Sequence, residues 1–159
     1  MPRCTAIAVL LFPVALVAQA PDLDKDQAAI TWAQSINVGD RDGRWLCYSL
    51  SADLMTVLFL DPTTIKFDKK LGAWTCWCRV IETKDRFEWK VQTAFRNEGQ
   101  EEATIGFAKY KFPGGIFISQ STRTAKEMQW EQTIPDTSVE ALWKIIKAHI
   151  VAHSTPKKK

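Results

Sequence analysis

Of the four cysteines and two histidines in this sequence, Cys4 lies in the N-terminal apolar segment, which leaves the thiols of Cys47, Cys76 and Cys78 and the imidazoles of His149 and His153 as candidate metal ligands or nucleophiles. His149 and His153 are four residues apart, the spacing that places two imidazoles on one side of a helix. Cys76 and Cys78 have only one residue between them, whereas the cysteines of a structural zinc site usually have about two to four. The spacing therefore predicts no metal site, and nothing in the sequence indicates a cofactor.

The same three cysteines are candidates for a disulfide bond whose pairing stays open. Cys76 and Cys78 would share one face of a strand with Cα atoms about 6.6 Å apart, near the upper limit for a bridge, so a bond between them would be strained. A bond from Cys47 to either of them, across neighbouring strands, is geometrically easier and leaves one free thiol. The alternative is that all three are small buried hydrophobic side chains.

The sequence contains no recognisable catalytic motif. Both histidines follow the strand-forming body, which therefore lacks the usual general base, and neither a nucleophile motif nor a glycine-rich phosphate loop is present. A mechanism based on carboxylates alone would have Asp61, Asp68, Asp85 and Glu88 as candidates, with no pattern that selects among them. We therefore predict that the protein is not an enzyme, and an exported hydrolase is the least favoured class of function.

The N-terminal segment has the pattern of a secretory signal peptide over residues 1–20. Arg3 supplies a positive charge, residues 6–17 are almost purely apolar, and Ala18-Gln19-Ala20 has the small residues that a signal peptidase recognises. Pro21 follows directly, and because proline after a cleavage site hinders cutting, the cleavage position stays open between Ala18 and Ala20. The apolar run is shorter than the roughly 20 residues needed to span a bilayer. We therefore expect an exported protein whose mature form has no transmembrane segment.

Composition indicates a single domain that does not bind nucleic acid. Removal of residues 1–20 from a chain of 159 leaves about 139 residues, enough for one domain and one core. The full chain has 21 basic and 18 acidic residues, scattered along the sequence, whereas a nucleic-acid interface gathers its lysines and arginines on one face. The one basic run, at residues 157–159, is predicted to belong to a disordered tail over residues 154–159.

Residues 21–44 are a polar lead-in, with a short helix predicted over residues 28–36. Residues 45–153 are predicted to form one domain. Phe87, Trp89, Val91 and Phe95 alternate with polar residues, which is typical of an antiparallel strand with one buried and one solvated face. The apolar run 54–60 favours a strand covered on both faces, and Asp61-Pro62 is predicted to end it. The six predicted strands are residues 45–51, 54–60, 71–83, 87–96, 104–112 and 116–124.

A C-terminal helix is predicted after the break at Ile134-Pro135. Thr137 and Glu140 have the spacing of a capping box, in which each side chain accepts a backbone N–H of the other. An apolar stripe at helical spacing follows, formed by Val139, Leu142, Trp143, Ile146 and Ile150. The predicted fold is therefore α+β: one antiparallel sheet of about six strands, with one wet face and one face covered by this helix.

Two groups of short motifs occur within this predicted fold. Leu60-Asp61-Pro62-Thr63-Thr64-Ile65 follows an early strand, while Trp130-Glu131, Ile134-Pro135 and the segment 138–143 lie before and within the last helix. In both places the chain resembles the surface-adhesin protein E family of bacterial exported proteins, over about residues 45–148. The residues that carry the resemblance are Asp61, Pro62, Thr63, Ile65, Trp130, Pro135, Ser138 and Glu140.

The resemblance implies an antiparallel sheet packed against a helix, a homodimer, and binding to host extracellular-matrix and serum proteins. The family typically has a disulfide between a late strand and the end of the last helix. This sequence has no cysteine in either region, so the bond is not carried over.

Together these observations predict a non-catalytic protein of the bacterial cell envelope, in the periplasm or on the outer surface, with adhesin-like binding of protein ligands. The alternative is a periplasmic module for small-ligand binding or assembly. The expected partners are extracellular or host proteins and a second copy of the chain.

Overall fold

The computed structural model describes residues 23–154, so the predicted signal peptide and the tail beyond Ser154 lie outside it. Two helices, a 3-10 turn and eight strands make up the fold. In chain order they are α1 (Leu23–Ser35), β1 (Arg41–Asp42), β2 (Trp45–Leu50), β3 (Thr56–Asp68), β4 (Ala73–Glu82), β5 (Phe87–Arg96), the turn Asn97–Gly99, β6 (Glu101–Lys111), β7 (Phe117–Thr122), β8 (Glu131–Gln132) and α2 (Ser138–Ser154).

All the described strands belong to one antiparallel sheet. Strands β1 to β7 are hydrogen-bonded in sequence order, and β8 pairs with β6 beyond the end of β7. The predicted α+β fold, a single antiparallel sheet packed against a C-terminal helix, is therefore confirmed. The six predicted strands correspond to β2–β7, and the two-residue strands β1 and β8 are additional. No helix within residues 23–154 has the length and apolar character needed to cross a membrane.

Strand β3 continues past the point where the sequence predicts its end. Its register with β4 is interrupted between Asp61 and Lys66, and pairing resumes at Lys66 opposite Thr75. Pro62 lies inside this interruption, where its missing N–H costs no ladder hydrogen bond. The prediction that Asp61-Pro62 ends the strand is therefore wrong, because an irregularity absorbs the proline.

Helix α2 covers one face of the sheet, which we call the α2 face. Leu142 and Ile146, from the predicted apolar stripe, are fully buried against Leu60, Cys78 and Phe95. The helix begins as the capping motif predicts: the Glu140 backbone N–H donates to the Thr137 hydroxyl at 3.4 Å. The Glu140 carboxylate accepts from the backbone N–H of Asp136 at 3.0 Å. In a standard capping box the donor would be the N–H of the next residue, Thr137.

The opposite face, which we call the α1 face, is also covered. Ala33 and Ile36 pack with Phe59 and Ile81, and the Trp32 ring stacks on Phe59 with centroids 6.5 Å apart. The lead-in thus contributes to the core, and its helix begins five residues before the predicted start at residue 28.

A second apolar cluster lies elsewhere on the α1 face, where Met128 packs on Ala73, Ala94 and Ala103. The prediction of one wet face is therefore wrong. The two-sided cover predicted for residues 54–60 extends to much of the sheet, because alanines on β4, β5 and β6 leave room for the segment between β7 and β8 to pack closely.

Candidate functional site

The chemistry-bearing side chains that the sequence singles out are not assembled into one site. Within residues 23–154, no group of three or more His, Cys, Asp or Glu residues is placed to hold a metal ion. Cys76 and Cys78 are buried in the core under α2. His149 and His153 lie near the end of α2 and line a surface cleft with Arg41.

Cys47, Cys76 and Cys78, the cysteines within residues 23–154, are free and buried, and they lie on two faces of the sheet. Cys47 belongs to the cluster under α1, whereas Cys76 and Cys78 belong to the cluster under α2. Strand β3 also separates β2 from β4, so the strands that carry them are not neighbours. The sequence favours a bond from Cys47 to Cys76 or Cys78 on geometric grounds. Such a bond does not fit this fold. Cys76 and Cys78 point to the same face, as predicted, with their Sγ atoms 3.9 Å apart.

The thiols have the properties of core side chains. The adjacent Cys78 thiol, together with burial, raises the pKa of Cys76. Burial is also the main cause that raises the pKa of Cys47. Both thiols are therefore neutral at physiological pH and have little of the thiolate character that nucleophiles and metal ligands need.

The four candidate carboxylates are spread over β3, the turn between β4 and β5, and β5. The carboxylate of Asp68 accepts two backbone N–H groups in the turn after β3, at 2.8 and 3.2 Å. Glu88 on β5 pairs with Arg79 at 3.1 Å, and Asp85 lies in the turn between β4 and β5. Asp61 is buried within β3. Asp61, Asp68 and Glu88 thus each have their own local hydrogen-bond or ion-pair partners.

The first family-like motif holds the interruption in β3 together. Asp61 is fully buried, and its Oδ1 accepts the Thr63 backbone N–H at 3.1 Å and the Thr63 hydroxyl at 2.6 Å. Its Oδ2 lies 3.0 Å from Nε of Arg44. Ile65 packs against the core under α2. Asp61, Pro62, Thr63 and Ile65 therefore have a structural role in this fold.

The second family-like motif positions the chain before and within α2. The Trp130 ring packs against the cluster around Met128. The guanidinium carbon of Arg96 lies over this ring, 4.1 Å from its centre. Pro135 precedes α2, Ser138 is its first residue, and Glu140 pairs with Lys144 at 3.0 Å. These contacts are also structural.

Strand β7 is an open sheet edge that the sequence does not single out. It pairs with β6 on one side and with no described strand on the other, and all six of its residues are exposed. Ile116, Phe117 and Ile118 are 62, 54 and 42 % exposed, which makes an apolar patch at the start of the strand. The segment 112–122 contains no charged residue, and this absence is the signal in the sequence that the edge is unprotected.

A second candidate site is a groove of about 380 Å³ between α2 and the sheet. Two aromatic pairs form its walls: Phe67 with Trp74 at 5.5 Å between ring centroids, and Phe95 with Trp143 at 5.6 Å. We call it the aromatic groove, and its apolar lining includes Phe67, Trp74, Phe95, Trp143 and Ile150. Its volume is in the range of small-molecule sites, about 300–1,000 Å³.

One wall of the aromatic groove is a left-handed turn. Asn97, Glu98 and Gly99 have successive φ values of 51°, 56° and 83°. Each non-glycine residue in this region costs on the order of 1–3 kcal/mol, and such strain is concentrated at binding and catalytic sites. Asparagine tolerates this conformation better than most residues, so the type at position 97 is consistent with it, whereas nothing in the residue type at position 98 predicts it. Gly99 packs beneath Trp143, where a Cβ would overlap the indole.

Comparison of the chain with protein-family models, curated proteins and solved structures finds no match in any of the three. The resemblance to the surface-adhesin protein E family therefore stays a prediction from the sequence motifs.

Proposed function

We propose that this chain is an exported protein of the bacterial cell envelope that binds protein ligands without catalysis. The observation that supports this most is the open edge of β7, which presents a row of unpaired backbone N–H and C=O groups. Such an edge is complementary to an extended segment of another protein, which adds to the sheet as a further strand. The signal-peptide pattern and the family resemblance support export and an adhesin-like role.

The composition of β7 favours an added strand over an edge that remains bare. Natural sheets protect exposed edges with lysines, prolines, bulges or very short strands. Strand β7 has no charge and no proline over its six residues, and its first two side chains are Phe117 and Ile118. A bulge in its pairing with β6, at Lys109 and Tyr110, is the one protective device of this kind at the edge, and it lies at the end of β7 and leaves residues 119–122 in regular pairing. An incoming strand would gain main-chain hydrogen bonds along the edge and apolar contacts at Ile116, Phe117 and Ile118.

Binding of the purified mature protein to a panel of purified extracellular-matrix and serum proteins, followed by biolayer interferometry, tests the proposal. Ile118→Lys places a charge on the edge, and we expect it to weaken binding by at least about tenfold, or about 1.4 kcal/mol. The matched control is Ile134→Lys, at a 66 % exposed isoleucine outside β7, and we expect it to bind like the wild type. Absence of binding to every protein in the panel, or equal loss in both variants, contradicts the proposal.

The side of the envelope is tested separately. Protease treatment of intact cells removes a protein on the outer surface and spares a periplasmic one. The adhesin-like role requires cleavage of the protein on intact cells, whereas protection until the outer membrane is opened favours the periplasmic alternative.

The aromatic groove favours the second candidate function, a periplasmic module that binds a small apolar ligand. Its walls offer aromatic surface, and Arg96 and Lys147 supply polar groups that could orient a ligand. Native mass spectrometry of the protein purified from its own host should then show a retained small molecule that is lost in Trp74→Ala. The adhesin-like function predicts a ligand-free mass.

A homodimer, which the resemblance implies, would use the same β7 edge if two copies joined their sheets. Light scattering after size-exclusion chromatography shows whether a second copy of the chain, rather than a different protein, covers the β7 edge. If the wild type is a dimer and Ile118→Lys a monomer, the edge is covered by a second copy, and ligand binding through it is contradicted.

A further inference from the structure

We propose that the cleft at the end of α2 is a binding site for a ligand that carries a phosphate or sulfate group, with affinity that increases in acid. The cleft, of about 430 Å³, is lined by Arg41, Arg44, Pro62, Thr63, His149 and His153. We call it the basic cleft. It lies at the interruption of β3 and is separate from both β7 and the aromatic groove, so it is independent of the proposed function.

Arg44 is the best-positioned cation of the basic cleft. Its Nε is 3.0 Å from Oδ2 of the fully buried Asp61, and its guanidinium carbon lies 5.2 Å from the centre of the Trp45 ring. The ion pair uses Nε, and the side chain is 64 % exposed, which leaves the two terminal nitrogens available to a ligand. Two parallel N–H groups of a guanidinium match the oxygens of a phosphate or sulfate group.

Arg41 supplies a second guanidinium. It lies on β1 opposite Leu46, so its backbone is fixed by the sheet. Its side chain is exposed, and it forms no ion pair with any residue in the described range 23–154. An anion in the basic cleft would therefore gain a contact with Arg41 without breaking an existing ion pair.

His149 and His153 add the pH dependence. Their rings stack with centroids 4.0 Å apart. Nδ1 of His153 lies 2.8 Å from the His149 carbonyl oxygen. This contact orients the His153 ring and leaves Nε2 of His153 for another partner. Burial and the neighbouring His153 lower the pKa of His149. An anion would stabilise the protonated imidazoles, so anion binding and protonation strengthen each other.

The charges of the basic cleft favour an anion over a metal ion. Arg41 and Arg44 against Asp61 leave one net positive charge when the histidines are neutral, and any protonation of the histidine pair increases it. Two neutral histidines at this spacing could otherwise hold a divalent cation, but the adjacent guanidinium groups repel it.

Titration of the purified protein with sodium sulfate, followed by the Cε1–H proton signals of His149 and His153, tests the site. Sulfate is chosen because it stays doubly charged at both about pH 5.5 and about pH 8, on either side of the histidine titration. We expect saturable shifts of both histidines, with affinity at least about threefold higher at the lower pH because positive charge is added to the basic cleft. Arg41→Ala should weaken the binding severalfold, whereas Arg123→Ala, at an exposed arginine outside the cleft, should leave it unchanged.

Vesicles distinguish a free anion from a lipid headgroup. Co-sedimentation with phosphatidylglycerol vesicles, absent with phosphatidylcholine and lost in Arg41→Ala, assigns the phosphate to a lipid. Sulfate binding without vesicle binding assigns it to a soluble ligand. The proposal is overturned by shifts that do not saturate, by tighter binding at the higher pH, by equal effects of Arg41→Ala and Arg123→Ala, or by zinc shifting both histidines when sulfate does not.

Discussion

Gly99 lies directly beneath the indole of Trp143, so closely that a Cβ on Gly99 would overlap the ring. The glycine has a φ of 83°, and this contact joins the strained turn after β5 to helix α2 and fixes one wall of the aromatic groove. The position thus requires glycine twice, for its backbone conformation and for the absence of a side chain.

Gly99→Ala should therefore lower the free energy of unfolding by about 3 kcal/mol or more, because steric overlap is added to backbone strain. The matched control is Gly72→Ala, whose φ is 61° and whose Cβ would meet no atom within 4 Å, so that only a loss of about 1 kcal/mol is expected. Urea unfolding of both variants measures the difference. Equal losses would mean that the contact with Trp143 does not constrain the turn.

Arg44→Ala should destabilise the protein by about 1 kcal/mol, because it removes the countercharge of the buried Asp61 carboxylate, while the 64 % exposure of Arg44 weakens the pair through solvent screening. In the Arg44→Ala background, Asp61→Asn should recover part of this loss, since the neutral amide needs no countercharge and its oxygen can still accept from Thr63. Urea unfolding of the two single variants and the double variant checks this. A double variant less stable than Arg44→Ala would contradict the assigned role of the ion pair.

Glu102 and Glu131 face each other across β6 and β8, and burial together with the Glu131 charge raises the pKa of Glu102. Because the folded state holds the Glu102 proton more tightly than the unfolded state, the native protein loses stability as the pH rises through this titration. Glu131→Gln removes the repulsion and should stabilise the protein at neutral pH by about 0.5 kcal/mol. The gain should disappear near pH 3.5, about one unit below the ordinary glutamate pKa. A gain that is independent of pH would contradict the electrostatic explanation.

The three thiols should resist modification in the native state, since all are buried and the pKa values of Cys47 and Cys76 are raised. Alkylation followed by mass spectrometry should show slow labelling of the native protein. After unfolding without reductant, all three cysteines of the mature chain should be labelled. A mass lower by two hydrogen atoms, with Cys76 and Cys78 unlabelled, would show that they are bonded instead.

The sheet and α2 could be predicted because their hydrophobic periods are clear: the alternation from Phe87 to Phe95 and the stripe from Val139 to Ile150. The cover on the α1 face is not predictable from the sequence, because a short helix rich in polar residues carries little of the pattern that would identify Ala33 and Ile36 as core residues. The capping pair Thr137 and Glu140 fixed the start of α2 from local chemistry alone.

The sites depend on contacts that no local pattern specifies. Cys47 lies on the opposite face from Cys76 because of the register of β2 on β3, where Cys47 is opposite Phe59. Asp61-Pro62 has the composition of a strand end, yet hydrogen bonds from Thr63 keep the chain in the sheet. The basic cleft joins residues more than a hundred positions apart, so only the folded chain brings Arg41 beside His149.

The most direct test of the proposed function is amide hydrogen exchange of the mature protein with and without a matrix or serum protein that it binds. Addition of a strand at the open edge predicts that ligand binding slows exchange at residues 117–122, where one side of the backbone is unpaired. Ligand-induced protection confined to residues 95–99 and 143–151, which border the aromatic groove, with no change along β7, would contradict the account.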